Sequence, residues 1–284
     1  MRKRLAPYLL VLPGGLWLAV FFVIPMAAMV LVSLQSGDLI HGYQQVFRVQ
    51  NYADVVSQYH TQLVRSLIYG LITTVITIAL AYPIAYWIAF YGGRHKSSYL
   101  FLLLLPFFVT FVIRTISWQF LLADNGMLIT PLRSAGIVSA NFHILATGPA
   151  VIGGLVYNFL PFMVLPIYVA LERIDRSLLE ASRDLFATST QSFLRVVMPL
   201  SLPGVFAGVI LTFVPASSDY VNATILGGKG QVMIGNIIES LYLTNSQYPQ
   251  AAALSSVLLG ALLLGIFVYA RALGTADVLD TSAA

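Results

Sequence analysis

The chain has 284 residues, 58% of them hydrophobic and only 9% charged, with a mean hydropathy of +0.85, against roughly 25% charged residues in an average soluble domain. Cysteine is absent and the four histidines, His41, His60, His95 and His143, are scattered, which excludes a disulfide framework and a Cys/His metal cluster. The formal net charge of +4 is not gathered into a basic tract of the nucleic-acid-binding kind, so the composition describes a polytopic membrane protein.

Six apolar stretches are long enough to cross about 30 Å of hydrocarbon; they lie near 9–33, 66–91, 98–122, 147–171, 193–217 and 250–272. The first follows Arg2, Lys3 and Arg4 and runs without a small-residue cleavage site, too long for the apolar part of a signal peptide. It is expected to be a retained helix. With the N-terminus inside, Arg2, Lys3, Arg4, Arg94, Lys96, Arg173, Arg176, Arg183, Arg195 and Arg271 fall on the cytoplasmic side, and only Arg48, Arg65, Arg133 and Lys229 outside. Basic residues mark the cytoplasmic face, so both termini are expected there.

The outer segments 34–65, 123–146 and 218–249 carry turn residues such as Asp124-Asn125-Gly126 and Gly227-Gly228-Lys229-Gly230, with room for short surface helices. No repeat, low-complexity tract or linker divides residues 1–284. The expected fold is an all-α, six-span membrane bundle forming one domain. Pro13, Pro25, Pro83, Pro106, Pro161, Pro166, Pro199, Pro203 and Pro215 lie within or at the ends of spans, where each removes a backbone donor. Such breaks suit a bundle around a moving pathway, and equally suit kinks that only improve packing.

One long polar interruption, residues 172–204, stands on the predicted inner side. Ser177 and Glu180 have the spacing of a capping box. Beyond them Leu178, Ala181, Ser182, Leu185 and Phe186 share one helical face, and Glu180, Arg183 and Asp184 the other. The pattern predicts a short amphipathic helix within the loop 172–192. Its mixed charges argue against a helix lying on lipid headgroups, where Lys and Arg dominate the polar face.

Glu180-Ala181-Ser182, then Ala187, then Val196, Met198-Pro199 and Pro203-Gly204, resembles the EAA loop of the membrane subunits of bacterial ATP-binding-cassette (ABC) importers. The resemblance implies a cytoplasmic coupling helix that enters a groove of a partner ATPase, with Ser177, Glu180, Ala181, Ser182, Arg183, Asp184, Leu185, Phe186, Ala187 and Pro199 as the coupling residues. Ser182 replaces the family alanine and Phe186 the family glycine. The latter implies either a different turn or a bulky contact with the ATPase, because glycine serves left-handed turns that a Cβ disfavours.

The resemblance extends from about Leu9 to Leu273 and leans toward the polyamine branch, the first of two permeases in spermidine/putrescine importers. Leu105-Pro106-Phe107-Phe108 leading to Ile113-Arg114, the segment Ile152–Met163, and Ile225–Gly228 followed by Met233–Asn236 carry it. It implies a second homologous permease forming a heterodimer, two copies of a cytoplasmic ATPase holding ATP and Mg, and a periplasmic or lipid-anchored substrate-binding protein, all at the bacterial inner membrane. Related permeases for aminoethylphosphonate, opines, iron and thiamine share much of the pattern.

This chain is expected to bind no cofactor or metal. Gly227-Gly228-Lys229-Gly230 is too short for a phosphate-binding loop. No Ser/His/Asp set or carboxylate pair marks it as an enzyme. A secondary transporter, which often shows inverted repeats and midplane charges, is the weaker alternative.

A polyamine pathway needs carboxylates to replace ammonium hydration and aromatic faces for the cation and its methylenes. Asp219, beside Tyr220 at the outer end of the fifth span, is the candidate carboxylate; an exposed aspartate capping the next turn is the alternative. Trp118 and Tyr157 are candidate aromatic walls, with interfacial aromatic belts as the alternative. Asp124 and Glu239 are expected to face the binding protein or water. Arg114, roughly 24 Å above the inner end of a straight third span, is a candidate gate ion-pair residue, with Asp219 or another carboxylate as its partner. Alternatively it marks an anionic or zwitterionic substrate.

Overall fold

In hydrocarbon every backbone polar group needs an internal partner, which leaves the helix as the solution for long apolar runs. The computed structural model describes residues 11–139 and 141–272, so Arg2, Lys3, Arg4 and the first residues of the expected first span lie outside the described residues. Within them run α1 (Val11–Ser33), a hairpin of β1 (Gln35–Asp38) and β2 (Gly42–Gln45), α2 (Gln50–Tyr91), α3 (Lys96–Leu104), α4 (Phe111–Leu122), α5 (Ile129–Ser134) and α6 (Gly148–Glu172). There follow α7 (Arg176–Asp184), α8 (Ser189–Ser218), α9 (Val221–Leu226), α10 (Ile234–Glu239) and α11 (Tyr248–Ala272).

Five of these helices, α1, α2, α6, α8 and α11, are long and apolar enough to cross a membrane. The third expected span is not one straight helix. Its two halves, Gly93–Phe108 and Phe111–Leu122, meet at 88° and reach span length only as a pair. Pro106 lies in a 3-10 turn, and Val109 and Thr110 are extended, so the helical ladder ends there and restarts. The straight-span height for Arg114 therefore does not hold. The second span also differs, since α2 begins at Gln50 and absorbs residues 50–65, expected in an outer segment.

The chain divides into two compact units, residues 11–61 with Ile237–Leu263, and Gln62–Asn236 with residues 264–272. In the first, Gln35 pairs with Gln45 and Asp38 with Gly42 in an antiparallel register. Asp38 Oδ1 accepts from the main-chain N–H of Ile40 and His41, at 2.9 and 2.7 Å, which fixes the hairpin tip and holds this carboxyl below the usual carboxylate range. Asn51 Nδ2 donates to the carbonyls of Ser33 and Gln35, tying the start of α2 to the end of α1.

The second unit has two apolar cores. Ala81, Ala85 and Ala89 of α2 meet Met163, Val164, Ile167 and Leu171 of α6 in one. In the other, Leu155 and Phe159 of α6 pack with Leu122, Ala216, Ala223, Leu226 and Met233. The second core shows that the segment after α8 is packed, not draped over the surface. Between α6 and α8 the contact runs through Gly204 and Gly208, a small-xxx-small pair. A Cβ at Gly204 would sit 2.5 Å from Pro166 O, and one at Gly208 2.6 Å from Met163 Sδ.

Candidate functional site

At the polar interruption, α7 forms as expected but is capped differently. Asp175, extended at φ −65° and ψ 127°, is the N-cap, and its Oδ1 accepts from Ser177 N–H at 2.9 Å. Ser177 and Glu180 are thus inside the helix and are not the capping pair; aspartate two residues earlier does that work. The Ser177 main-chain N–H, with its side-chain hydroxyl, keeps the Asp175 carboxyl below the usual range. A reciprocal capping box does occur one turn later, between Thr188 and Gln191, where it starts α8.

The turn after α7 retains the left-handed geometry despite the replaced glycine. Phe186 has φ 62°, its N–H donates to Arg183 O at 2.8 Å, and Ala187 N–H donates to Ser182 O at 3.0 Å, the bond pair of a Schellman ending. A phenylalanine in this conformation costs about 1–2 kcal/mol that glycine would not. Its side chain is 94% exposed, and Leu185 is 82% exposed.

Of the apolar face inferred from spacing, only Ser182 turns toward the bundle, where Leu179 joins it. Ser182 is buried and its Oγ lies 2.8 Å from Ser192 Oγ of α8. Leu178, Ala181, Leu185, Phe186 and Asp184 are exposed, as are Glu180 and Arg183, which line a cavity. Pro199 is exposed two residues beyond the π-helical stretch Phe193–Val197. A cavity of about 270 Å³ separates α7 from the ends of α2 and α8, lined by Tyr86, Phe90, Arg176, Glu180, Arg183 and Phe193.

The second constellation joins three elements of the larger unit. Asp219, the residue after the Ser189–Ser218 span, accepts through Oδ1 from Asn222 N–H at 2.7 Å and Asn222 Nδ2 at 3.2 Å. Asn222 Oδ1 accepts from Thr115 Oγ1 of α4 at 3.3 Å and from Asn158 Nδ2 of α6 at 3.2 Å. Thr115, Asn158 and Asn222 are buried. Asp219 is half-buried, and desolvation raises its pKa to about 6 against the lowering effect of the Asn222 bonds. The aspartate therefore does brace the next turn, through Asn222 and the Ala223 main chain, but it is half-buried and not the exposed capping residue of the alternative reading.

Trp118 and Tyr157 are half-buried neighbours, with ring centroids 5.4 Å apart in an edge-to-face pair. Tyr220 is 48% exposed and its carbonyl accepts from Asn236 Nδ2 at 2.9 Å. Arg114 is buried and does not pair with Asp219; its guanidinium lies 4.5 Å from the Phe107 ring centroid and 5.7 Å from that of Phe111. Asp124 meets His143 at 2.7 Å in an exposed contact.

Thr115, Asn158 and Asn222 were not among the residues expected to matter. An asparagine inside an apolar span was the available signal, because polar groups at that depth require partners. Gly154 was also missed, and a Cβ there would lie 2.7 Å from Asn222 Oδ1, so glycine admits α9 against α6.

Residues 5–272 match the family described as "Binding-protein-dependent transport system inner membrane component". The chain is 38% identical over 257 residues to the spermidine/putrescine transport system permease protein PotB of Haemophilus influenzae, covering 90% of each chain. To PotB of Escherichia coli it is 35% identical over 257 residues, covering 90% of this chain and 94% of that one. Among solved structures, the bacterial ABC transporter involved in import of the acidic polysaccharide alginate matches with a TM-score of 0.71 at 16% identity, over 96% of both chains. The MetNI methionine ABC transporter matches with a TM-score of 0.57 at 16% identity, over 75% of this chain and 94% of that one. These structural likenesses concern the fold.

Proposed function

The chain belongs to the family of binding-protein-dependent transport system inner membrane components, and from that membership we propose that it is the permease subunit of an ATP-driven polyamine importer, taking spermidine and putrescine. The identity of 38% to a spermidine/putrescine permease across nine-tenths of both chains carries the substrate reading. The chain forms half of the pathway; a second homologous permease forms the other half. Two copies of a cytoplasmic ATPase bind ATP and Mg and hydrolyse the ATP, and a substrate-binding protein delivers cargo from outside. The complex resides in the bacterial inner membrane with both termini of this chain inside, in keeping with the bias of its basic residues. The subunit itself is non-catalytic.

The outward apolar residues of α7 support the coupling role. Leu178, Leu185 and Phe186 are 46%, 82% and 94% exposed, and apolar area of this kind is stabilised only once a partner covers it. With Ala181 and Asp184 also exposed, and Glu180 and Arg183 at the cavity beside α2 and α8, α7 offers the ATPase an apolar ridge flanked by charge. Asp219 offers its carboxylate charge to a cargo ammonium, and Trp118, Tyr157 and Tyr220 offer ring faces to the methylenes.

ATP-dependent spermidine uptake by vesicles holding the whole complex tests the reading. Wild-type vesicles should accumulate spermidine and putrescine, and Glu180→Ala should lose uptake while the permease remains inserted. Vesicles that accumulate neither polyamine, or Glu180→Ala and Ala181→Asp vesicles that both transport at the wild-type rate, would refute substrate and coupling respectively.

A further inference from the structure

Helix α7 is amphipathic the wrong way round for a helix resting on a bundle. Arg176, Glu180 and Arg183 follow one another at four and three residues, so they share one face within about 60°. That face lines the cavity of about 270 Å³ between α7 and the ends of α2 and α8. Leu178 and Leu185 lie on the opposite side and are 46% and 82% exposed. The charged stripe finds no ionic partner in its own chain. Ion pairs among the described residues join His41 to Asp38, Arg48 to Asp54, Lys96 to Glu172 and His143 to Asp124. Glu180 thus meets neither Arg176 nor Arg183, although the spacing allows both.

The facing wall of the cavity is aromatic. The Tyr86 ring lies 4.8 Å from that of Phe90 and meets Phe193 edge-on at 5.7 Å, centroid to centroid. Tyr91, 69% exposed, also lines it. The spans Gln50–Tyr91 and Ser189–Ser218, each long and apolar enough to cross a membrane, end and begin here. The cavity therefore lies where hydrocarbon gives way to headgroups, the level that tyrosine favours. Basic pockets between membrane helices at this level take lipid headgroups.

The order of charges narrows the ligand. Arg176 and Arg183 stand about 10.5 Å apart along α7, with Glu180 between them. A simple anion would meet the Glu180 carboxylate, and a simple cation would meet two guanidinium groups. A group carrying both signs suits the whole stripe. Its phosphate oxygens accept from the guanidinium forks, while a primary ammonium donates to Glu180 and rests on the rings. The volume, about 270 Å³, falls below the roughly 300–1,000 Å³ of sites for drug-sized ligands, which fits a headgroup and is small for a nucleotide. An ATPase seated on Leu178 and Leu185 covers the side away from the cavity. We propose that this cavity is a headgroup site for phosphatidylethanolamine, with Arg176 and Arg183 on the phosphate and Glu180 on the ammonium, and that the bound lipid braces α7 against the bundle. Soluble phosphoethanolamine carries the same two groups, and the test separates the two sources.

The test is native mass spectrometry of the intact complex of both permeases and ATPase, titrated with phosphatidylethanolamine, phosphatidylcholine or phosphatidylglycerol. The wild type should hold phosphatidylethanolamine about tenfold more tightly than either other lipid. Arg176→Gln and Arg183→Gln should each weaken that binding about fivefold. Glu180→Gln should erase the preference over phosphatidylcholine, whose quaternary ammonium has no N–H to donate. Arg173→Gln, which removes an exposed arginine outside the cavity lining, should bind as the wild type does. The site is overturned if the wild type holds all three lipids equally, or if both cavity arginine variants keep wild-type affinity. It is also overturned if those variants release ATPase while retaining lipid, which would make the cavity an ATPase contact. Soluble phosphoethanolamine that displaces the lipid at equal concentration would overturn the lipid source and give the site to the free ester. Should an arginine variant fail to assemble, a photoreactive benzoylphenylalanine at Tyr91 in an otherwise wild-type complex decides. It should cross-link phosphatidylethanolamine in preference to phosphatidylcholine, and equal labelling of the two would sink the proposal.

Discussion

Asp219 and Asn222 are joined twice through one oxygen: Asp219 Oδ1 accepts the Asn222 main-chain N–H at 2.7 Å and its side-chain amide at 3.2 Å. The aspartate is thus both the support of α9 and the candidate counter-charge, and substitution separates the two. Asp219→Asn keeps an oxygen for the Asn222 N–H while removing the charge, so the heterodimer should assemble normally. Spermidine uptake should fall about tenfold, equivalent to roughly 1.4 kcal/mol. Asp219→Ala should also lose the cap and destabilise the subunit by about 1 kcal/mol more than Asp219→Asn does. Initial uptake rates and thermal melting of the detergent-solubilised complex check both, and equal uptake in Asp219→Asn and wild type would remove the charge from the pathway.

The same carboxylate sets a pH dependence. Its pKa is raised from 3.8 to about 6, chiefly by desolvation. Above pH 6 the group is charged, and as the outer pH falls through 6 it takes up a proton that an unfolded chain would not bind until near 3.8. Uptake that depends on this charge should therefore fall by half near outer pH 6, whereas folding stability from this group should rise as pH falls between those values. Asp219→Asn should flatten that limb of the uptake profile. An unchanged profile in the variant would assign the pH effect to another group.

The bundle was legible in the sequence because membrane spans impose length and apolarity, both directly countable. Where the third span breaks was not, since Pro106 announces a disruption but its size, 88°, depends on Val109 and Thr110 becoming extended against their neighbours. At α7 the spacing predicts the helix, yet not which part of its apolar face the bundle takes: Ser182 turns in because α8 supplies Ser192 opposite it, with Leu179 packed nearby, while Leu178, Leu185 and Phe186 stay exposed. Asp219, Trp118 and Tyr157 could be picked out by residue type. Asn222 could not, because its role comes from α9 folding back between α4 and α6, a packing event with no local periodicity to betray it.

Phe186 holds a conformation that glycine would adopt without strain, so its retention there should be readable as a trade. Phe186→Gly should relieve about 1 kcal/mol of local strain, seen as roughly fivefold greater hydrogen-exchange protection of the Phe186 and Ala187 amides, whose bonds close the turn. If the ring packs against the ATPase, the same variant should retain less ATPase on purification and consume more ATP per spermidine taken up. Phe186→Leu, which keeps an apolar side chain, should retain more ATPase than Phe186→Gly. Identical retention by all three chains would leave Phe186 without a docking role.

Gly153 and Gly154 are adjacent on α6 and should respond oppositely to the same methyl group. A Cβ at Gly153 meets nothing within 4 Å, and alanine is the better helix former by about 1 kcal/mol, so Gly153→Ala should raise thermal stability or leave it unchanged. A Cβ at Gly154 meets Leu226 Cδ1 and lies 2.7 Å from Asn222 Oδ1. Leu226 is fully buried and Asn222 is held by Thr115, Asn158 and Asp219, so neither can yield without moving α9. Gly154→Ala should therefore cost about 1–3 kcal/mol by overpacking and shift Asp219 with α9, lowering spermidine uptake more than an equally destabilising change in the Ala81–Met163 core. Melting curves of the two glycine variants, set beside their uptake rates, separate the packing cost from displacement of the carboxylate.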